Sequence, residues 1–384
     1  MVPTDGFTAA DETHMTRAVT LAARAIYAAD PNPRVGCVLV KNDRVIGEGW
    51  HRGTGGPHAE IEALRAADDD PAGSTAYVTL EPCAHFGRTP PCADALVDAR
   101  VARVVAAMED PNPKVQGEGF SRLQRAGIEV KVGLMADESS ALNPGFIQRM
   151  RIGRPYTRLK LAVSLDGRTA LANGESAWIT GPAARADVQH LRARASVILT
   201  DAGTVRIDNP RLNVREEEIP VEHRTRHPEP AKQPARAIVS ASGRLPKPFN
   251  MASAGGPILV FSPEPPAGCE TVEHVPMPRT PIGVDLGCVL TELGRREYNE
   301  VHVECGPSLA GQLLEAGLID EFVTYIAPCL LGSDARPLAH LGRLEQMTDR
   351  IALTMTDATM IGQDIRLTFM PAGDPKREHQ SSGD

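Results

Sequence analysis

The sequence predicts an α/β protein of two domains, and three observations lead there. At 384 residues the chain is long enough for two separate cores. Strand-length apolar runs alternate with segments of helical spacing along most of it, which is the pattern of layered α/β structure. Turn signals then concentrate between Ala141 and Pro155, at Asn143-Pro144-Gly145 and Gly153-Arg154-Pro155, and mark a join. The domains are placed at 1–150 and 151–372, with 373–384 a polar, disordered tail.

Composition excludes several classes of function. A formal net charge of -8 disfavours a broad nucleic-acid or anionic-membrane footprint, while leaving room for a small anion held by a few local cations. No apolar run reaches membrane-spanning length, and the first residues, Met1 to Gly6, lack the basic start and apolar run of a secretory signal. Seven cysteines in a chain of this size are not a disulfide framework. The chain reads as cytoplasmic.

In order, Asp11 is expected to cap a helix with Met15, Ala18, Val19, Ala22, Ile26 and Ala29 inward, ended by Pro31 and Pro33. Val35–Val40 reads as a buried strand, Asn42-Asp43 as a turn, and Val45–Trp50 as the hairpin partner. Cys37 is a core residue by its mid-strand position. A helix is expected over 58–67, a strand over 76–80, a helix start at Cys92, a strand over 101–108, and a further helix and strand up to Val132. Asp30-Pro31-Asn32-Pro33 and Asp110-Pro111-Asn112-Pro113 echo each other. Each holds an asparagine stiffly between prolines, with its carboxamide free to read a polar ring edge.

The stretch from Pro57 to Cys92 carries the chemistry of this half. Singly, His58, Glu60, Cys83 and Cys92 are ordinary residues. As His-x-Glu followed by Pro-Cys and a later Pro-Cys they match the signature of zinc-dependent base deaminases, with the second cysteine displaced by a loop that carries His85 and Arg88. One imidazole and two thiols supply three zinc ligands and leave the fourth position for water, whose pKa the metal lowers. Glu60 lies two residues past His58 and is placed to move protons. His51 and His85 are further polar candidates for the pocket.

After the join, strands are expected over 156–164, 196–200, 237–239, 258–261 and 321–326, and a helix over 183–194 with Pro182 in its first turn. Arg215 to Pro234 is polar and Pro-rich and predicts an exposed loop. Val301–Glu304 reads as a strand running through Gly306 into a helix from Ser308, a junction whose amides suit a phosphate. No Gly-x-Gly-x-x-Gly follows a strand, which disfavours a standard Rossmann site. Cys269, Cys288, Cys305 and Cys329 have no ligand spacing.

Pro31-Asn32-Pro33-x-Val35-Gly36, His58-Ala59-Glu60 and Glu81-Pro82-Cys83-x-His85 through Pro90-Pro91-Cys92 resemble the deaminase half of the bifunctional riboflavin-biosynthesis family RibD. Ser164-Leu165-Asp166-Gly167-Arg168, Gly174-Glu175-Ser176-x-Trp178, Gly203-Thr204-Val205 to Asn209-Pro210, and Val303-Glu304-x-Gly306-Pro307 resemble its reductase half. The resemblance implies an N-terminal cytidine-deaminase-like three-layer domain and a C-terminal dihydrofolate-reductase-like domain. It implies zinc (Zn2+) on His58, Cys83 and Cys92, Glu60 as proton shuttle, and a deaminase pocket lined by Asn32, His51, His85, Asp110 and Asn112. Arg88 stands where many relatives carry lysine, and keeps the charge with a different geometry. In the second half, Ala162, Trp178, Thr204, Asp208, Gly306, Pro307, Ser308, Leu309, Ala310, Gly311 and Gln312 would contact NADPH. Lys160, Ser176, Arg192, Leu212, Arg215 and Glu304 would hold the ribosyl phosphate, the arginines being chemically apt for the phosphate. The implied partner is a small phosphorylated pyrimidine, with no nucleic acid or membrane, and the chain is expected to be a homo-oligomer. The alternatives are a deaminase acting on nucleic acid, a reductase whose deaminase half is inert and merely binds zinc, and a non-catalytic binding protein built on both folds.

Overall fold

A computed structural model describes residues 6–85, 90–113, 115–246, 249–266, 271–281 and 283–372. Arg88 and the tail from 373 fall outside the described residues. The chain divides into two compact units, one formed by the chain up to Gly153 together with Val221–Lys232, the other by Arg154–Pro220 and the chain from Gln233. Among the described residues no helix is long and apolar enough to cross a membrane.

The first unit runs α1 (Ala9–Ala23), β1 (Gly36–Lys41), β2 (Arg44–Trp50), α2 (Ala59–Arg65), β3 (Thr75–Val78), α3 (Cys92–Asp98), β4 (Arg103–Ala106), α4 (Glu118–Arg125), β5 (Glu129–Val132), α5 (Ala136–Leu142) and α6 (Pro144–Ile152). Its five-stranded sheet has the order β2-β1-β3-β4-β5, with β1 antiparallel to both neighbours and β3, β4 and β5 parallel. Strand alternation sends Cys37 and Leu39 into a core with Ala59, Ala63, Ala93, Leu96 and Leu123 of α2, α3 and α4. It sends Val38 and Val40 to the opposite face, against Met15, Ala18 and Leu21 of α1. Helices thus cover both faces of the sheet, and the unit has three layers.

Local structure corrects the sequence reading at the first helix: Thr8, not Asp11, caps α1. Thr8 Oγ1 accepts from Asp11 N at 3.1 Å, and the Asp11 carboxylate takes Thr8 N at 2.9 Å, closing a capping box. At the join, the turn at Asn143 separates α5 from α6, and the second unit begins at Arg154. Asn143 is buried and mimics a strand pair, accepting from Arg34 N at 2.8 Å and donating to Arg34 O at 2.9 Å.

Asp11 ties α1 to the sheet through Tyr77 Oη (2.7 Å) and Arg103 Nη1 (2.8 Å). Burial works to raise its carboxyl pKa, but Arg103, Thr8 and Tyr77 together hold it below the ordinary range. A folded value below the unfolded one gives stability that is present above about pH 4 and lost as pH falls below it. Asp11→Ala is therefore expected to lower the stability of the first unit by roughly 1–3 kcal/mol at neutral pH, since it opens the capping box and leaves Tyr77 Oη and the half-buried Arg103 without their carboxylate partner. Thermal unfolding should show the gap to wild type narrowing at pH 3.

The second unit runs β6 (Tyr156–Ser164), β7 (Arg168–Ala170), α7 (Pro182–Arg194), β8 (Val197–Asp201), α8 (Ala202–Asp208), β9 (Ala235–Val239), β10 (Ile258–Ser262), β11 (Glu273–Pro276), β12 (Arg279–Thr280), β13 (Gly283–Val284), α10 (Leu286–Arg295), β14 (Glu300–Val303), α11 (Pro307–Glu315), β15 (Glu321–Ala327), β16 (Arg336–Pro337), β17 (Leu353–Ile361) and β18 (Asp364–Pro371); α9 (Val221–Arg226) belongs to the first unit. The main sheet has nine strands in the order β11-β10-β9-β8-β14-β6-β15-β18-β17, parallel from β11 to β15 and closed by the antiparallel β18 and β17. One face packs Leu159, Leu199, Val301 and Val303 against Val289, Leu293 and Leu313 of α10 and α11. On the same strand Glu300, His302 and Glu304 alternate onto the opposite face, beneath Arg192 and Arg194 of α7.

The loop predicted for 215–234 is largely exposed, as expected, but it carries short helices and is divided between the two units. Glu216–Glu218 forms a 3-10 turn, and Val221–Lys232 packs as part of the first unit, where His227 Nδ1 lies 2.6 Å from Ala23 O and Trp50 Nε1 donates to Glu229 at 3.2 Å. Its polarity reflects partners reached through hydrogen bonds, which composition alone does not reveal.

Candidate functional site

The first site is assembled at the ends of β3, α2 and α3. His58 is the residue preceding α2, while Cys92 opens α3 and Cys83 follows the exit of β3. Their donor atoms all lie within 4.8 Å of one another, with His58 Nδ1 at 3.6 Å from Cys83 Sγ and 3.3 Å from Cys92 Sγ. Donation from Cys92 draws the Cys83 thiol down to about 4, against the effect of burial. That same contact, together with burial, pushes the Cys92 thiol up. Two adjacent thiolates persist here only with a cation between them, so the donor set fits a divalent ion of zinc's character.

Glu60, in the first turn of α2, is 3% exposed, and burial together with the charge of Cys83 pushes its carboxyl up to about 7. His51 is buried, and burial holds its imidazole below the ordinary value. Its Nδ1 lies 3.0 Å from Pro57 O, which only a protonated Nδ1 can satisfy, so Nε2 accepts from Asn32 Nδ2 at 3.1 Å. The pair thereby fixes both the tautomer and the orientation of the carboxamide. The His51 and His58 rings meet edge-on at 5.6 Å. Asp110 accepts from Asn112 N at 2.8 Å, and burial raises its carboxyl. His85 is exposed.

Sequence reasoning missed the role of Glu81. This buried carboxylate between β3 and Cys83 accepts from Asp110 N (3.0 Å), Gly117 N (3.0 Å) and Gly119 N (2.8 Å). It binds the strand exit that carries Cys83 to the loop that carries Asp110. A Cβ on Gly119 would lie 2.0 Å from Pro82 O, so only glycine lets α4 come this close. Arg122 of α4 completes the brace, donating to Ala84 O at 3.0 Å and pairing with Asp94 at 2.5 Å. Glu81→Ala leaves three amides without an acceptor, a loss of roughly 2–4 kcal/mol. Hydrogen exchange should show the amides of Asp110, Gly117 and Gly119 protected in the wild type and fast in the variant.

The second site lies at the C-terminal ends of parallel strands β6, β8 and β14, where open α/β sheets place ligands. Arg192 grips Glu304 in a bidentate pair, Nε to Oε1 at 2.6 Å and Nη2 to Oε2 at 3.0 Å, and also donates to Asn213 O at 3.1 Å. Burial alone would raise the Glu304 carboxyl, but Arg192, His302 and Lys160 hold it well below the usual range. Burial lowers the Lys160 ammonium, which sits 5.6 Å over the Tyr325 ring. Two cations thus flank one anion. This leaves a net positive centre, although Arg192 has fewer free N–H groups than the sequence suggested.

Asp201, another missed acid, ends β8 and accepts from Thr204 N (2.9 Å), Thr204 Oγ1 (2.9 Å) and Gly306 N (3.1 Å). It therefore joins Thr204 to the Gly306 turn. Of the α11 residues, Leu309 and Ala310 are core, and Gly311 is required because a Cβ there would lie 1.9 Å from His340 O. Their side chains face away from any ligand, and only the helix-start amides remain. Pro307 is buried, Gln312 half-buried, and Ser308 exposed with its hydroxyl 3.2 Å from His340 Nδ1. Leu212 is also core, with its backbone at φ 47°. Ala162 and Ser176 are half-buried and Asp208 is exposed. Trp178 is 76% exposed, with the Arg185 guanidinium 4.7 Å from its ring. Arg215 pairs with Glu218 at 2.5 Å. The Thr204–Gly306 junction gathered by Asp201 is a glycine turn into a helix start, whose backbone amides are of the kind that suit a phosphate.

Residues 8–108 match the cytidine and deoxycytidylate deaminase zinc-binding region, and residues 155–367 match the RibD C-terminal domain. The molecule is therefore a zinc-type deaminase unit joined in one chain to a reductase of dihydrofolate-reductase-like fold. The chain is 47% identical over 365 residues to the riboflavin biosynthesis protein RibD of Escherichia coli, covering 94% of this chain and 100% of that one. With RibD of Haemophilus influenzae the identity is 46%, over 96% and 99% of the two chains. The solved structure of Acinetobacter baumannii RibD superposes with a TM-score of 0.87 at 44% identity, covering 95% of this chain and 99% of that one. That of a diaminohydroxyphosphoribosylaminopyrimidine deaminase/5-amino-6-(5-phosphoribosylamino)uracil reductase from Thermotoga maritima gives 0.83 at 31% identity, covering 94% and 99%. The chain belongs to the RibD family of bifunctional riboflavin-biosynthesis enzymes.

Proposed function

We propose that the unit holding His58, Cys83 and Cys92 deaminates the diaminopyrimidinone ribosylamine 5′-phosphate, and that the unit holding Glu304 reduces its ribosyl chain to ribityl. The observation that carries this is the gathering of His58, Cys83 and Cys92 within 4.8 Å of one another, with Glu60 buried in the first turn of the helix that follows His58. His58, Cys83 and Cys92 would hold the zinc, which would supply the Lewis acidity that makes bound water nucleophilic. Glu60 takes the proton from the attacking water and returns it to the departing amino group, a relay that suits a group titrating close to neutrality. Asn32, held by neutral His51, presents its carboxamide to the ring, and Asp110 and Asn112 face it from the loop braced by Glu81. Ammonia leaves.

In the second unit bound NADPH would be the source of the hydride for the sugar carbon. Thr204, the Gly306 turn and Trp178 would hold the cofactor, with Ala162 and Asp208 beside them. Lys160, Arg192 and Glu304 orient the ribosyl phosphate, with Ser176 and Arg215 at the margin. Ammonia release and NADPH oxidation, followed together on zinc-loaded protein, test the assignment. Ammonia alone is expected without cofactor, and both signals with it. Dialysis against a chelator should remove one zinc per chain and abolish ammonia release, while oxidation of NADPH by already deaminated substrate continues. Silence in both traces would overturn the reading.

We place the enzyme in the cytoplasm, acting on a small molecule and not on nucleic acid, in keeping with the formal charge of -8. A second copy of the chain is its expected partner. Strand β17 is an open sheet edge, and the β17–β18 hairpin exposes Met355, Met360, Ile365 and Met370. Light scattering should give a dimer or larger, and a Met360→Lys variant of lower mass.

A further inference from the structure

The substrate of the deamination step carries a phosphate as well as a ring, and among the described pocket residues His85 alone offers a positive charge, Arg88 lying outside them. Asn32 and Asn112 are neutral, His51 is held neutral by its two contacts, and Glu60 and Asp110 are acids. A cation reaches this pocket from more than 170 positions further along the chain. Lys232 Nζ donates to Asp30 O at 3.0 Å and to Thr54 Oγ1 at 3.3 Å, while Thr54 Oγ1 itself donates to Asp30 O at 2.7 Å. Asp30 lies two residues before Asn32, and Thr54 three residues after His51. The ammonium therefore sits where the two loops that carry this side of the pocket meet. Its charge is felt at the His51 ring.

The segment that brings Lys232 there is anchored along its length. Glu229 accepts from Trp50 Nε1 at 3.2 Å and lies 3.4 Å from Arg52 Nη1, so it holds the residues on either side of His51. His227 Nδ1 lies 2.6 Å from Ala23 O, and the His227 ring meets Tyr27 edge-on at 5.3 Å. Two further cations lie near these loops: Arg52 is engaged by Glu62, Glu229 and the Trp50 ring, and Arg149 Nη2 donates to Pro31 O at 3.4 Å. Lys232 has no carboxylate within ion-pair distance among the described residues, and its side chain is exposed. With two of its three N–H groups on Asp30 O and Thr54, one remains to donate.

We propose that Lys232, delivered by the Val221–Lys232 segment, is a phosphate contact of the deaminase pocket and sets its preference for the phosphorylated substrate. The proposal rests on the deamination reading above. It gives the segment a purpose that a connecting loop would not need: the second half of the sequence completes the substrate site of the first unit.

The test is steady-state ammonia release by zinc-loaded full-length wild type, Lys232→Gln and Lys232→Arg. Each is assayed with the phosphorylated substrate and with its dephosphorylated counterpart, and with inorganic phosphate as competitor. Loss of one charge-assisted contact predicts a KM for the phosphorylated substrate raised by about tenfold in Lys232→Gln, with kcat within about twofold and zinc content unchanged. KM for the dephosphorylated substrate stays as in the wild type, competition by phosphate weakens, and Lys232→Arg recovers most of the loss. If Lys232→Gln shifts both substrates equally, Lys232 is only a structural tie and the proposal fails. It also fails if neither KM moves. Absence of ammonia from either substrate in the wild type would instead sink the deamination reading, so the two failures are distinguishable.

Discussion

Glu60→Gln is expected to slow ammonia release by about a hundredfold to ten-thousandfold, the span that general acid–base catalysis contributes. The amide keeps the shape of the side chain but can neither take a proton from water nor return one to the leaving group. Zinc content should stay at one per chain, because Glu60 stands outside the His58, Cys83 and Cys92 donor set, whose atoms lie within 4.8 Å of one another. Reduction of already deaminated substrate should be unaffected. Metal analysis beside the two activity traces checks all three statements. Loss of zinc along with activity would make Glu60 a ligand. Retained turnover would reduce the first unit to a structural metal site.

Glu304→Leu should have the largest effect on the second unit. It removes the partner of Arg192, whose guanidinium makes two contacts of 2.6 Å and 3.0 Å to that carboxylate beneath α7. Stranding a buried cation costs roughly 3–5 kcal/mol, and more than replacing the whole pair would. NADPH oxidation should fall by more than about a hundredfold, since the change also turns the remaining Lys160 and Arg192 into mutually repelling charges. Ammonia release should persist. The double variant Glu304→Leu with Arg192→Leu should regain part of the lost stability and none of the activity. Thermal unfolding and the two assays on the three variants would show it. Equal stability of the single and double variants would mean that the ion pair is not buried as tightly as its geometry indicates.

The three clustered donors, His58, Cys83 and Cys92, and the neighbouring Glu60 stood out in the sequence because their chemistry is local in type and their spacing is set by short elements. His58 and Glu60 share one helix start, and Cys83 and Cys92 each follow a proline at the edge of an element. The alternation within β1 likewise follows from period two, with Cys37 and Leu39 on one face and Val38 and Val40 on the other. The reductase residues were less legible. Leu309 and Leu212 belong to a stretch that resembles a cofactor or substrate loop, yet their side chains fill the core, because adjacent residues share a motif without sharing a direction.

Hydrophobic periodicity, turn chemistry and the metal-type residues by themselves determined the α/β class and a division into two units, and they singled out His58, Cys83 and Cys92, which the fold brings together. The tertiary structure alone decided which polar groups meet. Glu81 finds amides 29 to 38 residues away, Arg192 finds Glu304 across 112 residues, and Lys232 reaches Asp30 across 202. The reason is physical. Burial in the core depends on each residue's own apolarity and leaves a periodic trace in the sequence. A hydrogen bond or ion pair between distant side chains needs both partners at a set distance and angle, and only the folded backbone supplies that geometry.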